Sequence, residues 1–266
     1  IMSKDIQQQK KLKVLLIGEV CNDYFCYGTV DRISPEAPVP VLKISRSEQF
    51  EGMAGNVKKN LEGLGIECFV IHNFESITKT RYVDERFNQH VIRIDKDADI
   101  EPIKFTYFPD DHFIPDAIII SDYNKGFIPY DAASQTIGYL KLTYPNCPIF
   151  VDTKKPDVSC YDNCILKLNE KEYNRCKNSI REDCNVILTL GKKGAQYNGK
   201  LYAAKEVEMF DVSGAGDTFL SGLVFKYLKT NNLEESVIFA NKCASFAVTK
   251  KGTYAIKTED LNDICF

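Results

Sequence analysis

The densest chemistry in this chain lies in eight residues, Asp211-Val212-Ser213-Gly214-Ala215-Gly216-Asp217-Thr218, followed by an apolar stretch with helical spacing that begins Phe219-Leu220-Ser221-Gly222. Small side chains at Gly214, Ala215 and Gly216 let backbone N–H groups come close to an anion, and a helix opening there adds the positive end of its dipole. The segment predicts a phosphate cradle. It is not a P-loop, because Gly-x-x-x-x-Gly-Lys-Ser/Thr is absent. A carboxylate inside such a cradle repels the phosphate, so Asp217 has two readings. It can be a base that takes a proton from a hydroxyl while the amides hold a transferring phosphoryl group. It can equally cap the helix, a position that favours Asp. The residue types alone leave both open.

The elements that must position these groups are legible as texture. Val14-Leu15-Leu16-Ile17-Gly18, Cys68–Ile71, Ala117–Ile120, Ile149–Val151, Cys164–Leu166 and Val186–Thr189 are short apolar runs of the kind that form strands buried on both faces. Helix-compatible apolar spacing over 53–64, 131–143, 214–229 and 234–250 separates several of them. That alternation predicts an α/β fold with a mainly parallel sheet. Lys125 follows the run 117–120 at a strand end, where such sheets bind ligands. Two segments break the rhythm. Residues 24–46, with Pro35, Pro38 and Pro40 ahead of Val41-Leu42 and Ile44, and residues 80–95, with Tyr82-Val83, Val91 and Ile94, predict antiparallel strands standing off the main sheet as a small lid. One domain over 12–266 follows, with a polar tail over 1–11.

Composition narrows the function classes. With 266 residues, 44% apolar and 27% charged, there is ample core for a globular domain. Thirty-four basic against 37 acidic residues leave a net charge of −3, so no global positive field draws the chain to nucleic acid or anionic lipid. No apolar run is long enough to span a bilayer, and the N-terminal residues lack the apolar stretch of a signal peptide. A cytoplasmic protein with no nucleic-acid or membrane partner is expected. The ten cysteines contain no Cys-x-x-Cys pair and no Cys/His cluster of zinc spacing, and read as reduced thiols.

Taken as a unit, Asp-x-x-Gly-Ala-Gly-Asp-Thr-Phe resembles the C-terminal signature of the ribokinase-like family of sugar and nucleoside kinases, and further motifs agree in order along residues 14–253. The resemblance implies a three-layer fold with a mainly parallel central sheet and a small β lid. It implies ATP and Mg2+ as cofactors, Asp217 as catalytic base, and Gly214, Ala215 and Gly216 as the amides that stabilise the transferred phosphoryl group. Gly18-x-x-x-x-Asp23 resembles the family's first strand-to-loop, where the Asp holds sugar hydroxyls. Gly52-Met53-Ala54-Gly55-Asn56 resembles Gly-Gly-Ala-Ala-Asn, which places Gly52 and Asn56 at the substrate. Asn169-Glu170-Lys171-Glu172 fits Asn-x-x-Glu, with Glu172 near the metal through water or phosphate. Thr189-Leu190-Gly191-Lys192-Lys193-Gly194 fits a nucleotide-site turn, and Asn169, Thr189, Gly191, Gly194 and Asn241 are assigned to the nucleotide.

Within the family the chain is similar to the heptose-7-phosphate kinases, including the kinase half of the bifunctional enzymes of ADP-heptose synthesis. Tyr27-Gly28, Arg32-Ile-Ser-Pro-Glu-Ala-Pro-Val-Pro-Val41, Thr78-Lys79-x-Arg81, Arg93-x-Asp95 and Ser121-Asp-Tyr-Asn-Lys-Gly126 carry this likeness. It implies phosphorylation of the anomeric hydroxyl of D-glycero-D-manno-heptose 7-phosphate, with Arg93 and Lys125 near the acceptor or its phosphate. A kinase for a fructose- or ribose-type sugar is the alternative, and a catalytically silent sugar-phosphate-binding paralogue is the rival outside enzymes. Three departures stand out. Met53 and Gly55 replace the usual Gly and Ala. One helix-strand unit is missing between Phe74 and Thr78. No nucleotidyltransferase segment follows residue 266, so adenylylation is expected from another chain or a lost fusion. The lid's unsatisfied strand edges predict a homodimer.

Overall fold

The computed structural model describes residues 11–265 apart from 110, 111 and 251, so the predicted polar tail lies, but for its last residue, outside the described residues. Along the chain run β1 (Lys13–Gly18), β2 (Val20–Ile33), β3 (Pro40–Met53), α1 (Ala54–Gly63), β4 (Glu67–Ile71), β5 (Ile77–Asp84), β6 (Gln89–Lys96), β7 (Ala117–Asp122) and α2 (Tyr130–Thr143). There follow β8 (Ile149–Thr153), β9 (Ile165–Asn169), α3 (Glu170–Cys176), β10 (Asn185–Thr189), β11 (Ala195–Tyr197), β12 (Lys200–Tyr202), α4 (Ala215–Thr230), α5 (Leu233–Ala247) and α6 (Leu261–Cys265). Eight strands form the main sheet in the order β12-β11-β10-β9-β8-β7-β1-β4. Its pairings are parallel except at the β10–β11–β12 end.

Why the buried strands read as unbroken apolar runs is visible in β1. Val14 and Leu16 point to the layer of α1, α4 and α5, while Leu15 and Ile17 point to the layer of α2 and α3. All four are fully buried, which contributes about 1.5–3 kcal/mol for each side chain. A strand covered on both faces needs no polar alternation. The three-layer α/β fold, its mainly parallel sheet and the β lid all appear as expected.

The lid is a four-stranded sheet in the order β3-β2-β5-β6. It is larger than the segments 24–46 and 80–95, and not wholly antiparallel. β2 pairs with β3 and β5 with β6 in antiparallel fashion, but β2 and β5 run parallel from Cys21↔Ile77 to Gly28↔Asp84. The reason lies in the body. β1 and β4 are parallel neighbours there, and each hands its chain to the lid after a short turn, so the two outgoing strands leave in the same direction. β4 is itself the edge of the main sheet and connects to β5 through residues 72–76.

Candidate active site

At the C-terminal ends of the parallel strands the chain must turn toward helices, and there the cradle is built. Gly214 precedes α4 with φ 76° and ψ 0°, a left-handed conformation that favours glycine. A Cβ there would lie 2.6 Å from both Asn56 Nδ2 and Thr253 Cγ2, so glycine is required by conformation and by space. Ala215 and Gly216 open the helix, and the amides of Gly216 and Asp217 have no hydrogen-bond partner among the described residues. They are the donors a helix N-terminus leaves for an anion.

Asp217 is the third residue of α4, and no side chain caps this helix. The capping reading therefore falls away. Instead Asn56 Nδ2, from the first turn of α1, donates to Asp217 Oδ2 at 2.8 Å, and the Tyr123 hydroxyl donates to Oδ1 at 3.3 Å. Burial pushes the Asp217 carboxyl up to about 6; the Asn56 hydrogen bond opposes this, and the Asp152 charge adds to it. A carboxylate of that basicity, set beside free amides, can accept a proton near neutral pH.

A cleft of about 990 Å³ opens from this point, bounded by Gly214–Asp217 and Asn241 on one side and by Asn169, Thr189, Gly191 and Gly194 on the other. Asn241 spends its Nδ2 on the Tyr202 carbonyl at 2.8 Å, which ties α5 to β12. Thr189 Oγ1 donates to the Leu168 carbonyl at 3.3 Å. Asn169 caps α3 in a reciprocal capping box with Glu172. Glu172 also accepts from the Lys154 ammonium, so its carboxylate faces the cleft through a lysine.

The floor of the cleft holds groups that sequence reading missed. Lys167 Nζ lies 2.6 Å from Asp152 Oδ2, and a Cβ on Gly216 would come within 3.2 Å of that ammonium. Burial works to raise the Asp152 carboxyl, but Lys167 and Lys154 outweigh it and hold it below the ordinary value. Lys154 is in turn raised, since Asp152 and Glu172 overcome the burial that would lower it. Asp152 Oδ1 is buried with no hydrogen bond, the Lys154 ammonium standing 3.5 Å away. Such an oxygen, with Glu172 behind the same lysine, suits a hydrated divalent cation. Among the described residues no group of three or more His, Cys, Asp or Glu side chains is arranged to hold a metal ion directly. The signal for these groups was positional: each sits in or just after a parallel strand, where α/β sheets bind ligands.

Opposite the cleft, the lid and the loop after β7 form the other side of the site. Glu19, the single residue between β1 and β2, is fully buried and accepts from the backbone N–H groups of Tyr123, Lys125 and Phe127. Burial raises its carboxyl, as does Asp122, against the pull of these amides. One carboxylate thus shapes the loop that carries Tyr123 to Asp217. On the lid's inner face, strand register sets Asp23 beside Lys79 and Lys79 beside Asp95. Arg81 Nη1 meets Asp23 Oδ1 at 2.7 Å. Gly52 is required by space, since a Cβ would fall 2.4 Å from Asp23 Oδ2. Arg93 grips both oxygens of Asp95 at 2.7 Å, and Lys125 Nζ meets Asp97 Oδ2 at 2.6 Å. The structure thus gathers Asp217, Gly214, Ala215, Gly216 and Asn56 with the five nucleotide candidates around one cleft. Asp23, Gly52, Arg93 and Lys125 stand on its lid side, the last two already paired with carboxylates.

Fold and site together point to a class, and residues 161–260 match the profile described as pfkB family carbohydrate kinase. Among curated proteins it is similar to the Bifunctional protein HldE of a Nitratiruptor species, at 28% identity over 95% of this chain and 65% of the relative. The protein of that name from Campylobacter concisus is 29% identical, over 96% of this chain and 65% of its own. The chain thus spans just under two thirds of the length of these relatives. Among solved structures, phosphofructokinase-2 from Escherichia coli superposes with a TM-score of 0.73 at 16% identity, covering 96% of this chain and 97% of its own. Ribokinase from Thermotoga maritima gives 0.69 at 17% identity, covering 96% and 99%.

Proposed function

We propose that this chain is an ATP-dependent kinase that phosphorylates the anomeric hydroxyl of D-glycero-D-manno-heptose 7-phosphate. The observation that carries the reading is Asp217: a buried carboxylate with a raised pKa, at the mouth of a helix whose first amides are unspent, where the donor cleft meets the lid. In the reaction Asp217 takes the proton of the acceptor hydroxyl as its oxygen bonds to the γ-phosphorus of ATP and the bond to the β-phosphate oxygen breaks, releasing ADP. The amides of Gly216 and Asp217 and the dipole of α4 offset charge on the phosphoryl group, and Lys154 and Lys167 supply positive charge across the cleft. Asp23, Gly52 and Asn56 orient the sugar, with Arg93 and Lys125 on the acceptor side. Asn169, Thr189, Gly191, Gly194 and Asn241 wall the nucleotide. Asp152 and Glu172 would hold Mg2+ through water; when bound, the ion supplies charge neutralisation at the ATP phosphates.

The heptose assignment is supported by the similarity to the HldE proteins and by the lid motif Arg32–Val41. On this reading the product feeds ADP-heptose and lipopolysaccharide-precursor synthesis in the cytoplasm, and the enzyme is a homodimer through its lid. No helix among the described residues is long and apolar enough to cross a membrane. The test is ADP release with a panel of acceptors. Turnover that requires heptose 7-phosphate is expected; turnover with fructose or ribose derivatives in its place reassigns the acceptor. No turnover with any sugar, despite ATP binding, favours the silent paralogue.

A further inference from the structure

Cysteines that read from their spacing as separate reduced thiols are not all separate in the fold. β9 and β10 are parallel neighbours, in register from Ile165↔Asn185 to Asn169↔Thr189. One step ahead of the first pair stand Cys164 and Cys184, and the Asn185 N–H donates to the Cys164 carbonyl at 2.9 Å, so the ladder reaches them. Both side chains point to the layer of α2 and α3, as Leu166 and Val186 do two residues further on. There the two thiols converge. Cys164 Sγ donates to the Asp162 carbonyl and Cys184 Sγ to the Tyr161 carbonyl, each at 3.1 Å, and the two acceptors belong to consecutive residues. Burial pushes the Cys164 thiol well up, and the largest charge effect on it comes from Cys184.

Neighbouring strands lie about 4.7–4.9 Å apart, inside the roughly 4.4–6.8 Å between Cα atoms that a disulfide spans. Two cysteines in register on one face of such a pair meet by rotation about χ1. Little is given up in doing so, because the Asp162 carbonyl keeps the Lys141 ammonium as a donor at 2.8 Å. Access to the two is unequal: Cys164 is 1% exposed, whereas Cys184 is half-buried. Burial raises both thiols, so neither reacts quickly, and the pair stays reduced where reductant is abundant.

We propose that Cys164 and Cys184 are a redox-closable pair, which an oxidant of the hydroperoxide class joins as a disulfide across β9 and β10. Cys184, as thiolate, attacks a peroxide oxygen; the O–O bond breaks, and with hydrogen peroxide one water leaves and a sulfenic acid remains. Cys164 then attacks that sulfur. The S–S bond forms as the S–O bond breaks, and the hydroxide released takes the Cys164 proton and leaves as a second water. Two thiols have then given two electrons to one peroxide. The bond closes the unit β9–α3–β10, which carries Lys167, Asn169 and Glu172 and leads to Thr189. It does so five residues before both Asn169 and Thr189, about 16 Å along the strands, so it ties this wall of the cleft from the end remote from the chemistry.

The test is unreduced peptide mapping by mass spectrometry of the folded full chain, treated with hydrogen peroxide and then alkylated at its remaining thiols. Thermal melts before and after dithiothreitol accompany it. An intramolecular link from Cys164 to Cys184 is expected, with a melting temperature higher by roughly 5–10 °C that dithiothreitol reverses. Cys164→Ala and Cys184→Ala should each abolish the link and the rise, and Cys26→Ala, which removes a lid thiol, should keep both. Cys164→Val refills the buried space and serves beside Cys164→Ala. Oxidation of Cys184 to the sulfinic acid with Cys164 left free overturns the proposal. So does a link from either residue to Cys147, Cys160 or Cys176 of the same layer in place of the expected one, the absence of any link once the other thiols are consumed, or a linked protein no more stable than the reduced one.

Discussion

Asp217 and its two donors set the behaviour expected of single residues. Asp217→Asn keeps the size and the contact to Asn56 but cannot take a proton at neutral pH, so kcat should fall on the order of 10² to 10⁴-fold while ATP and sugar still bind. The same substitution should stabilise the protein. A carboxyl whose folded pKa of about 6 lies above the ordinary 3.8 costs stability, on the order of 2–3 kcal/mol, wherever the unfolded chain would ionise it freely. The gain in melting temperature should be fully present above about pH 6 and fade as pH falls toward 4, a pattern that thermal scans of both proteins at several pH values will show or refute. In wild type, the base works only when ionised, so kcat should drop tenfold per pH unit on the acid side of a limb near pH 6. A limb near 4 would mean that burial does not tune Asp217. The sequence made this residue legible because the cradle is contiguous. It did not make legible whether Asp217 caps or catalyses, since that turns on Asn56 and Tyr123, residues 161 and 94 positions away.

At the scale of elements, the buried strands and helices were readable because β1, β7 and β8 are apolar on both faces and α4 and α5 carry the matching spacing. The parallel junction of β2 with β5 was not, since it follows from where β1 and β4 lie in the body. Lys154, Lys167 and Glu19 were likewise hidden: their roles come from tertiary neighbours, and a lysine or glutamate in a strand end carries no periodic signal. Glu19 makes the sharpest element-level forecast. Glu19→Ala would strip three backbone N–H groups, those of Tyr123 and Lys125 part-buried and that of Phe127 buried, of their acceptor, at up to about 1–3 kcal/mol each. The loop 123–127 should lose its shape, with a marked drop in melting temperature and a loss of activity exceeding that of the less disruptive Glu19→Gln. Equal melting temperatures for wild type and Glu19→Ala would show that the loop holds itself. Met53 adds a finding about departure from the family pattern. It sits at φ 58° and ψ −128°, in the conformation a glycine would take, at a cost of about 1–3 kcal/mol. The side chain is buried against Cys21 and Ile77, so the substituted residue keeps the backbone path that brings Asn56 to the base.

For the whole molecule, the lid's outer face carries Ile92 and Ile94, 54% and 50% exposed, on an edge strand, a surface that a second copy would cover. Light scattering should give twice the chain mass, and the pair Ile92→Lys with Ile94→Lys should halve it; a monomeric wild type ends the dimer proposal. How the lid and the cradle are distributed along the chain also bears on synthesis. Residues 13–96 leave the ribosome ahead of the rest of the described residues, so β1, β4 and all four lid strands can pair while the walls of the cleft, from Asp152 to Val248, are still unmade. Asp217 arrives late, against an Asn56 that is already in place. A nascent chain paused before that point presents a lid face that still lacks Asp217 and has two bare strand edges, and it is in this interval, more than in the finished protein, that the long lid strands are exposed to mispairing and to chaperones.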